Sequence, residues 1–220
     1  MEYGNTKTMV FAPTHPPALP NPKAIPGVDL DLLYVPCYNG KTGRHNIHSI
    51  GKDQIAFHAA NVLVLMNIET FEQTLLQGHS GDITALTYCS DQDLLISAQR
   101  KLGEEAYFVI WQASTCEKLA VVEVEESISQ VATDRLGKFV SVVSGKEGAA
   151  ELAIWNLVDL IKQYQSTQTT LQTKPLKRLL LGNTTVHSII QEKDLDPVEL
   201  NITIGCNSGI KVFTFHTETK

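Results

Sequence analysis

The chain has little of what would tie it to a disulfide framework, a membrane or a nucleic acid. Its 220 residues include four cysteines, Cys37, Cys89, Cys116 and Cys206, and no pair forms C-x-x-C. Scattered in this way they read as reduced thiols of a reducing compartment rather than as cross-links. No apolar run approaches the roughly 20 residues of a membrane span. The opening MEYGNTKTMVF lacks the basic and then apolar order of a secretory signal. The expectation is therefore a cytoplasmic protein with no membrane partner. Positive charge is scarce, with 18 Lys and Arg against 24 Asp and Glu and a net charge of −6. Binding to backbone phosphates needs a basic face, so no nucleic acid is expected as a partner.

Signatures of catalysis are missing too. There is no G-x-S-x-G nucleophile motif. His45 and His48 stand three apart, with His58 beyond, but no Cys or Asp cluster completes a zinc site. Gly40-Lys-Thr-Gly43 lacks the full phosphate-loop pattern, and no helical run follows it. No enzyme activity, no cofactor and no metal are expected. Asn183-Thr-Thr185 and Asn201-Ile-Thr203 match the glycosylation acceptor, which by chance recurs in proteins outside the secretory path.

What is there is a proline-rich arm followed by many short β-rich runs. Hydrophobic residues make up 43% of the chain and charged residues 19%, enough for a packed core. Residues 12–27 hold six prolines and one leucine, which excludes a helix or a central strand. This segment reads as an extended linker or strap, although Pro13-x-x-Pro16 and Pro17-x-x-Pro20 also have the spacing of SH3 ligands. From residue 46 onward, runs rich in Val, Ile, Leu and aromatics alternate with Gly, Asn, Asp and Ser. Helical periodicity is poor. The polar stretch 158–172 reads as a long surface loop with room for a helical turn. Glu123, Glu125 and Glu126 read as a solvated loop, with a basic partner as the other reading.

A repeat organises these runs. Val-Leu-Met66-Asn, Val-Ile-Trp111-Gln, Ala-Ile-Trp155-Asn and Lys-Val-Phe213-Thr recur at intervals of 45, 44 and 58 residues, the last lengthened by the polar insertion. Small-residue strands around Ser97, Ser144 and Gly205 precede the last three anchors. A period near 44 residues with four strands per unit is that of propeller blades. The second unit opens on Gly78-His79, with Trp111 following 32 residues after His79. This resembles the Gly-His…Trp-Asp pattern of WD repeats, whose histidine, strand hydroxyl and indole satisfy one another. His79, Ser97, Trp111 and Trp155 are the residues assigned to such a structural network. Gln112 and Asn156 stand where the terminal aspartate would be, and Glu104 or Glu105 is the candidate for the turn aspartate.

The fold expected is all-β, a WD-repeat β-propeller forming a partial arc of about four blades, at about 47–77, 78–123, 124–181 and 182–220. Residues 1–27 form the arm, 28–46 a pre-propeller motif and 47–220 the blades. A four-unit arc leaves an apolar face open, so a fragment, a split product or another chain completing the propeller is expected.

Residues 28–48, VDLDLLYVPCYNGKTGRHNIH, resemble the hydrophobic motif ahead of the propeller in echinoderm microtubule-associated protein-like proteins. Leu32, Tyr34, Val35, Tyr38, Gly40, Arg44 and Asn46 fall on it, with Cys37 where that family has glycine. The likeness covers about residues 28–155, specific over 28–86 and generic beyond, and extends to ciliary and axonemal WD-repeat proteins. It implies a microtubule-associated scaffold without catalytic activity, with tubulin, microtubules or axonemal proteins as partners. It also implies a place in the cytoskeleton, the cilium or the flagellar axoneme. In that arrangement Leu32, Val35 and Tyr38 pack inward and Arg44 fixes the turn. The other function class is a generic WD adaptor of a ubiquitin ligase or trafficking complex.

Overall fold

A computed structural model describes residues 2–3, 6–7, 31–36, 46–100, 103, 106–146, 149–193 and 199–216. The chain divides into two units, Met1–Leu32 and Leu33–Lys220. In the first unit, β1 (Glu2–Tyr3) and β2 (Thr6–Lys7) form a short antiparallel pair. The proline-rich segment 12–27, Tyr38, Gly40, Arg44, Glu104 and Glu105 lie outside the described residues.

The second unit is a succession of antiparallel meanders in which each strand pairs with the next in sequence. The first sheet comprises β3 (Ile47–Ile50), β4 (Gln54–Ala59), β5 (Val62–Asn67) and β6 (Gln73–Leu76). The second comprises β7 (Ile83–Cys89), β8 (Leu94–Gln99), β9 (Tyr107–Gln112) and β10 (Lys118–Glu123). The third comprises β11 (Ile128–Thr133), β12 (Phe139–Lys146), β13 (Ala149–Asn156) and β14 (Lys177–Gly182). The fourth has three strands, β15 (Val186–Lys193), β16 (Glu199–Cys206) and β17 (Gly209–His216). The four sheets are not closed into a ring.

Side chains alternate across a strand, so a sheet sandwiched between two others needs apolar residues at both parities. β8 shows this directly, since all six of its residues are buried. Leu94, Ile96 and Ala98 pack with Val140, Val142 and Trp155 of the third sheet. Leu95, with Val109 and Trp111, packs on Leu63 and Leu65 of the first. A third cluster joins Val143, Leu152 and Ile154 to Leu200, Ile202 and Ile204 of the fourth sheet. Hydrogen bonds from β7 also reach the β4–β5 turn of the first sheet and the leading strand β11 of the third. Ile83 N donates to Ala60 O at 2.8 Å, and Thr84 Oγ1 to Ile128 O at 2.7 Å. On the fourth sheet Ile190, Ile210 and Val212 remain exposed.

The polar stretch after β13 is not a loop but a helix, α1 (Leu157–Thr167). Asn156 caps it, its side-chain oxygen accepting from Val158 N and Asp159 N. Asp159 complements the first turn, and Gln168 ends the helix in the left-handed conformation. Leu157, Leu160, Ile161 and Tyr164, at i, i+3, i+4 and i+7, pack against the cluster between the second and third sheets. The following segment runs along the free edge of β10. Leu171 N donates to Val121 O at 2.8 Å and Glu123 N to Leu171 O at 2.9 Å. The insertion thereby covers an edge that would otherwise offer unpaired backbone groups.

Candidate functional site

Three of the four network candidates meet in the second sheet. Trp111 Nε1 donates to Ser97 Oγ at 2.8 Å, and His79 Nε2 lies 2.7 Å from the same oxygen. His79 Nδ1 lies 3.0 Å from Gln99 Oε1. That oxygen also accepts from Ser80 N and Gly81 N, so Nδ1 must be the donor. Nε2 is then the acceptor for the Ser97 hydroxyl, which keeps a lone pair for the indole. The chain Trp111 → Ser97 → His79 → Gln99 leaves none of these groups unpaired. It requires neutral histidine, and the surroundings enforce it. Burial holds the His79 pKa down to about 4; the Gln99 hydrogen bond opposes this, and charge on Lys118 and His58 adds to it.

The sheet register explains why Ser97 is the hydroxyl that the indole finds. Trp111 pairs with Leu95, so Ser97 is its diagonal neighbour on the same face. Gly78 lets the entry loop close over this group, since a Cβ there would stand 3.1 Å from Trp111 Cη2 and 2.9 Å from Lys118 Nζ. Lys118 Nζ lies 5.5 Å from the Trp111 ring centroid. Tyr107 stacks on His79 with ring centroids 5.4 Å apart, and its hydroxyl donates to Gly78 O.

Trp155 takes no part in this network. It pairs with Val140, which puts Val142, not a hydroxyl, on its diagonal. Ser144 faces Glu151 instead. Trp155 Nε1 donates to Thr173 O at 3.4 Å, and the ring meets Phe108 edge-on across the two sheets. Phe213 is displaced as well. Met66, Trp111 and Trp155 are each next to last in their strands, whereas that place in β17 belongs to Phe215, opposite Leu200.

Of the pre-propeller residues, Val35 contacts the first sheet. Gln73 clamps its backbone, with Val35 N donating to Gln73 Oε1 at 2.8 Å and Gln73 Nε2 donating to Val35 O at 3.0 Å. Its side chain packs beside Phe57, Val62 and Val64. Asn46 is buried. Leu32, the last residue of the first unit, is 46% exposed, and Tyr34 is 52% exposed, against the expectation of a buried motif. The run Leu32-Leu33-Tyr34 gives no alternation to choose one inward face, and the chain is held here by its backbone.

His79 and Ser97 have the spacing of a base and a nucleophile, with Gln99 as orienting group. Burial overrides that reading. Ser97 is fully buried and its oxygen already accepts the indole N–H. A substrate would have to displace a core tryptophan to reach it. The arrangement binds strands together and offers no nucleophile. His58, buried on β4 of the first sheet, has no hydrogen-bond partner for either ring nitrogen among the described residues, and burial lowers its pKa despite the opposing Asp82 charge. Sequence reasoning missed Gln99 and Tyr107. The available signal for Gln99 was an amide ending an otherwise apolar buried strand, where it must find a partner.

The fold is that of a propeller-like series of β-meanders. A solved structure, that of U3-55K, shares it with a TM-score of 0.53 at 14% identity, over 74% of this chain and 48% of that one. No protein-family model matches. In sequence the chain is similar to cilia- and flagella-associated protein 251 of Tetrahymena thermophila, 36% identical over 73 residues. It is also similar to centriole proteome protein 16 of Chlamydomonas reinhardtii, 29% identical over 163 residues. It is similar as well to the echinoderm microtubule-associated protein-like elp-1 of Caenorhabditis elegans, 34% identical over 76 residues. The matches cover 33%, 67% and 34% of this chain but 7%, 7% and 8% of those proteins. The chain therefore spans less than a tenth of these relatives.

Proposed function

We propose that this chain is part of a WD-type propeller and acts as a non-catalytic scaffold on microtubules, in the cilium or axoneme. The observation that carries the reading is the similarity to three proteins named for cilia and flagella, for the centriole and for microtubule association. The repeated meanders and the Trp111–Ser97–His79 chain support the WD-type architecture. Scaffolds of this kind present loops and sheet edges on a rigid frame, and binding needs no reactive group. The exposed Ile190, Ile210 and Val212 support contact with another chain or sheet at the fourth sheet.

Cosedimentation of the folded chain with taxol-stabilised microtubules tests the proposal. Pelleting that saturates in the micromolar range is the expected result. Folded protein that stays in the supernatant at every tubulin concentration would remove direct lattice binding and favour the adaptor reading. Net charge of −6 means that binding must use local patches, so added salt should weaken it only modestly.

A further inference from the structure

We propose that two copies of this chain pair through the outer edge of β17, joining their fourth sheets into one antiparallel sheet of six strands. The last strand of a sheet exposes a row of N–H and C=O groups, and folded chains guard such edges. The other three sheets do so. β6 is only four residues long, and its Gln73 clamps the Val35 backbone. β10 is bridged by Leu171. β14 opens on two cations, Lys177 and Arg178, and a bulge shifts its pairing with β13. β17 has eight residues, no proline and no break in register with β16. Among the described residues no strand or bridge pairs with its outer side. Its lysine is drawn away from that side, since Lys211 Nζ donates to Thr184 Oγ1 at 3.4 Å in the loop before β15.

The strand is also complementary to itself. A two-fold axis at Val212 sets that residue opposite its counterpart, Ile210 opposite Thr214 and Lys211 opposite Phe213, so no like charges meet. β17 has no Asp or Glu, in a chain of net charge −6, so two acidic copies can approach there. Ile190, Thr203 and Val212 form one row across the fourth sheet, with Ile190 56% and Val212 64% exposed. Pairing at Val212 continues that row through both copies. The proposal goes beyond the microtubule reading and does not depend on it, because self-association is measured without tubulin.

Sedimentation velocity of the chain across the micromolar range tests the pairing. The mass should rise from one chain to two and stop there. Val212→Lys sets like charges face to face and should weaken pairing about tenfold or more, and Val212→Glu should do the same. Mixing these two variants should restore it. Ile190→Lys, on the same face but away from the edge, should pair as the unaltered chain does. A chain that is monomeric at every concentration would overturn the proposal and leave the edge to a strand of another protein. So would a mixture that stays monomeric. Equal dissociation by Ile190→Lys and Val212→Lys would also overturn it, since the face and not the edge would then make the contact. Amide exchange of the unaltered chain needs no variant. Alternate N–H groups of β17 should exchange more slowly as concentration rises, and unchanged exchange counts against the pairing.

Discussion

Replacing Ser97 with alanine is the sharpest perturbation of this molecule. The change removes one oxygen from a fully buried site and leaves two partners without their bond. The Trp111 indole N–H loses its acceptor at 2.8 Å, and His79 Nε2 loses its donor at 2.7 Å. A buried polar group left unpaired costs about 1–3 kcal/mol, so the pair should cost about 4 kcal/mol. That is a large part of a domain's net stability of about 5–15 kcal/mol. At roughly 2–4 °C per kcal/mol for a chain of this size, the melting temperature should fall by about 8–16 °C. His79→Ala should cost less, about 1–3 kcal/mol, because Ser97 keeps the indole and Gln99 keeps two backbone donors. The assay is urea unfolding followed by tryptophan fluorescence, on Ser97→Ala, Trp111→Phe and the double variant. If the network is one unit, the double variant loses less than the sum, with a coupling of about 1 kcal/mol or more. Loss below about 0.5 kcal/mol for Ser97→Ala, or strict additivity, would refute the argument.

The remaining expectations are simpler. His79 titrates near 4 when folded and near 6.5 when unfolded, so the unfolded chain binds the extra proton in between. Stability should be full above about pH 6.5 and decline by roughly 3 kcal/mol as pH falls to 4; urea midpoints of His79→Gln should show a flatter decline, and an identical one would exclude the histidine as the cause. Gln73→Ala should release the Val35 backbone, seen as faster proteolysis ahead of residue 46 with a stability loss of about 1 kcal/mol. Asn156→Ala should cost about 1 kcal/mol through the lost helix cap, measured by thermal melting. Leu171→Pro removes the N–H that bonds Val121 and should increase aggregation measured by light scattering, whereas Thr169→Pro should not.

How much of this could be read in the sequence depends on whether local order sufficed. The strands were legible, since a sheet packed on both faces leaves continuous apolar runs such as Leu94-Leu95-Ile96. The meeting of His79, Ser97 and Trp111 follows from pairing Trp111 with Leu95, which a fixed period suggests but does not state. Trp155 and Ser144 repeat the residue types of Trp111 and Ser97 but stand 11 residues apart instead of 14, and the register puts Val142 in the diagonal place. Helix α1 was in the sequence as Asn156 followed by Leu157, Asp159, Leu160, Ile161 and Tyr164. By composition alone its polar face outweighs that stripe. Gln99 was not legible, because an amide becomes an acceptor for three N–H groups only once the loop has folded over it.

Sheets laid in a row, each packed only on its neighbours, behave as a nearly one-dimensional array. The second sheet is flanked on both faces and carries the tryptophan–serine–histidine chain, whereas the fourth has a single neighbour and three strands. Loss of structure should therefore travel inward from the ends instead of striking everywhere at once. The transition reported by the second sheet, the one that Ser97→Ala lowers, should then be the last to occur, after the outer sheets have parted. In the scaffold role proposed above, this grading would let the outer sheets loosen to admit a neighbour while the second sheet keeps the frame in register.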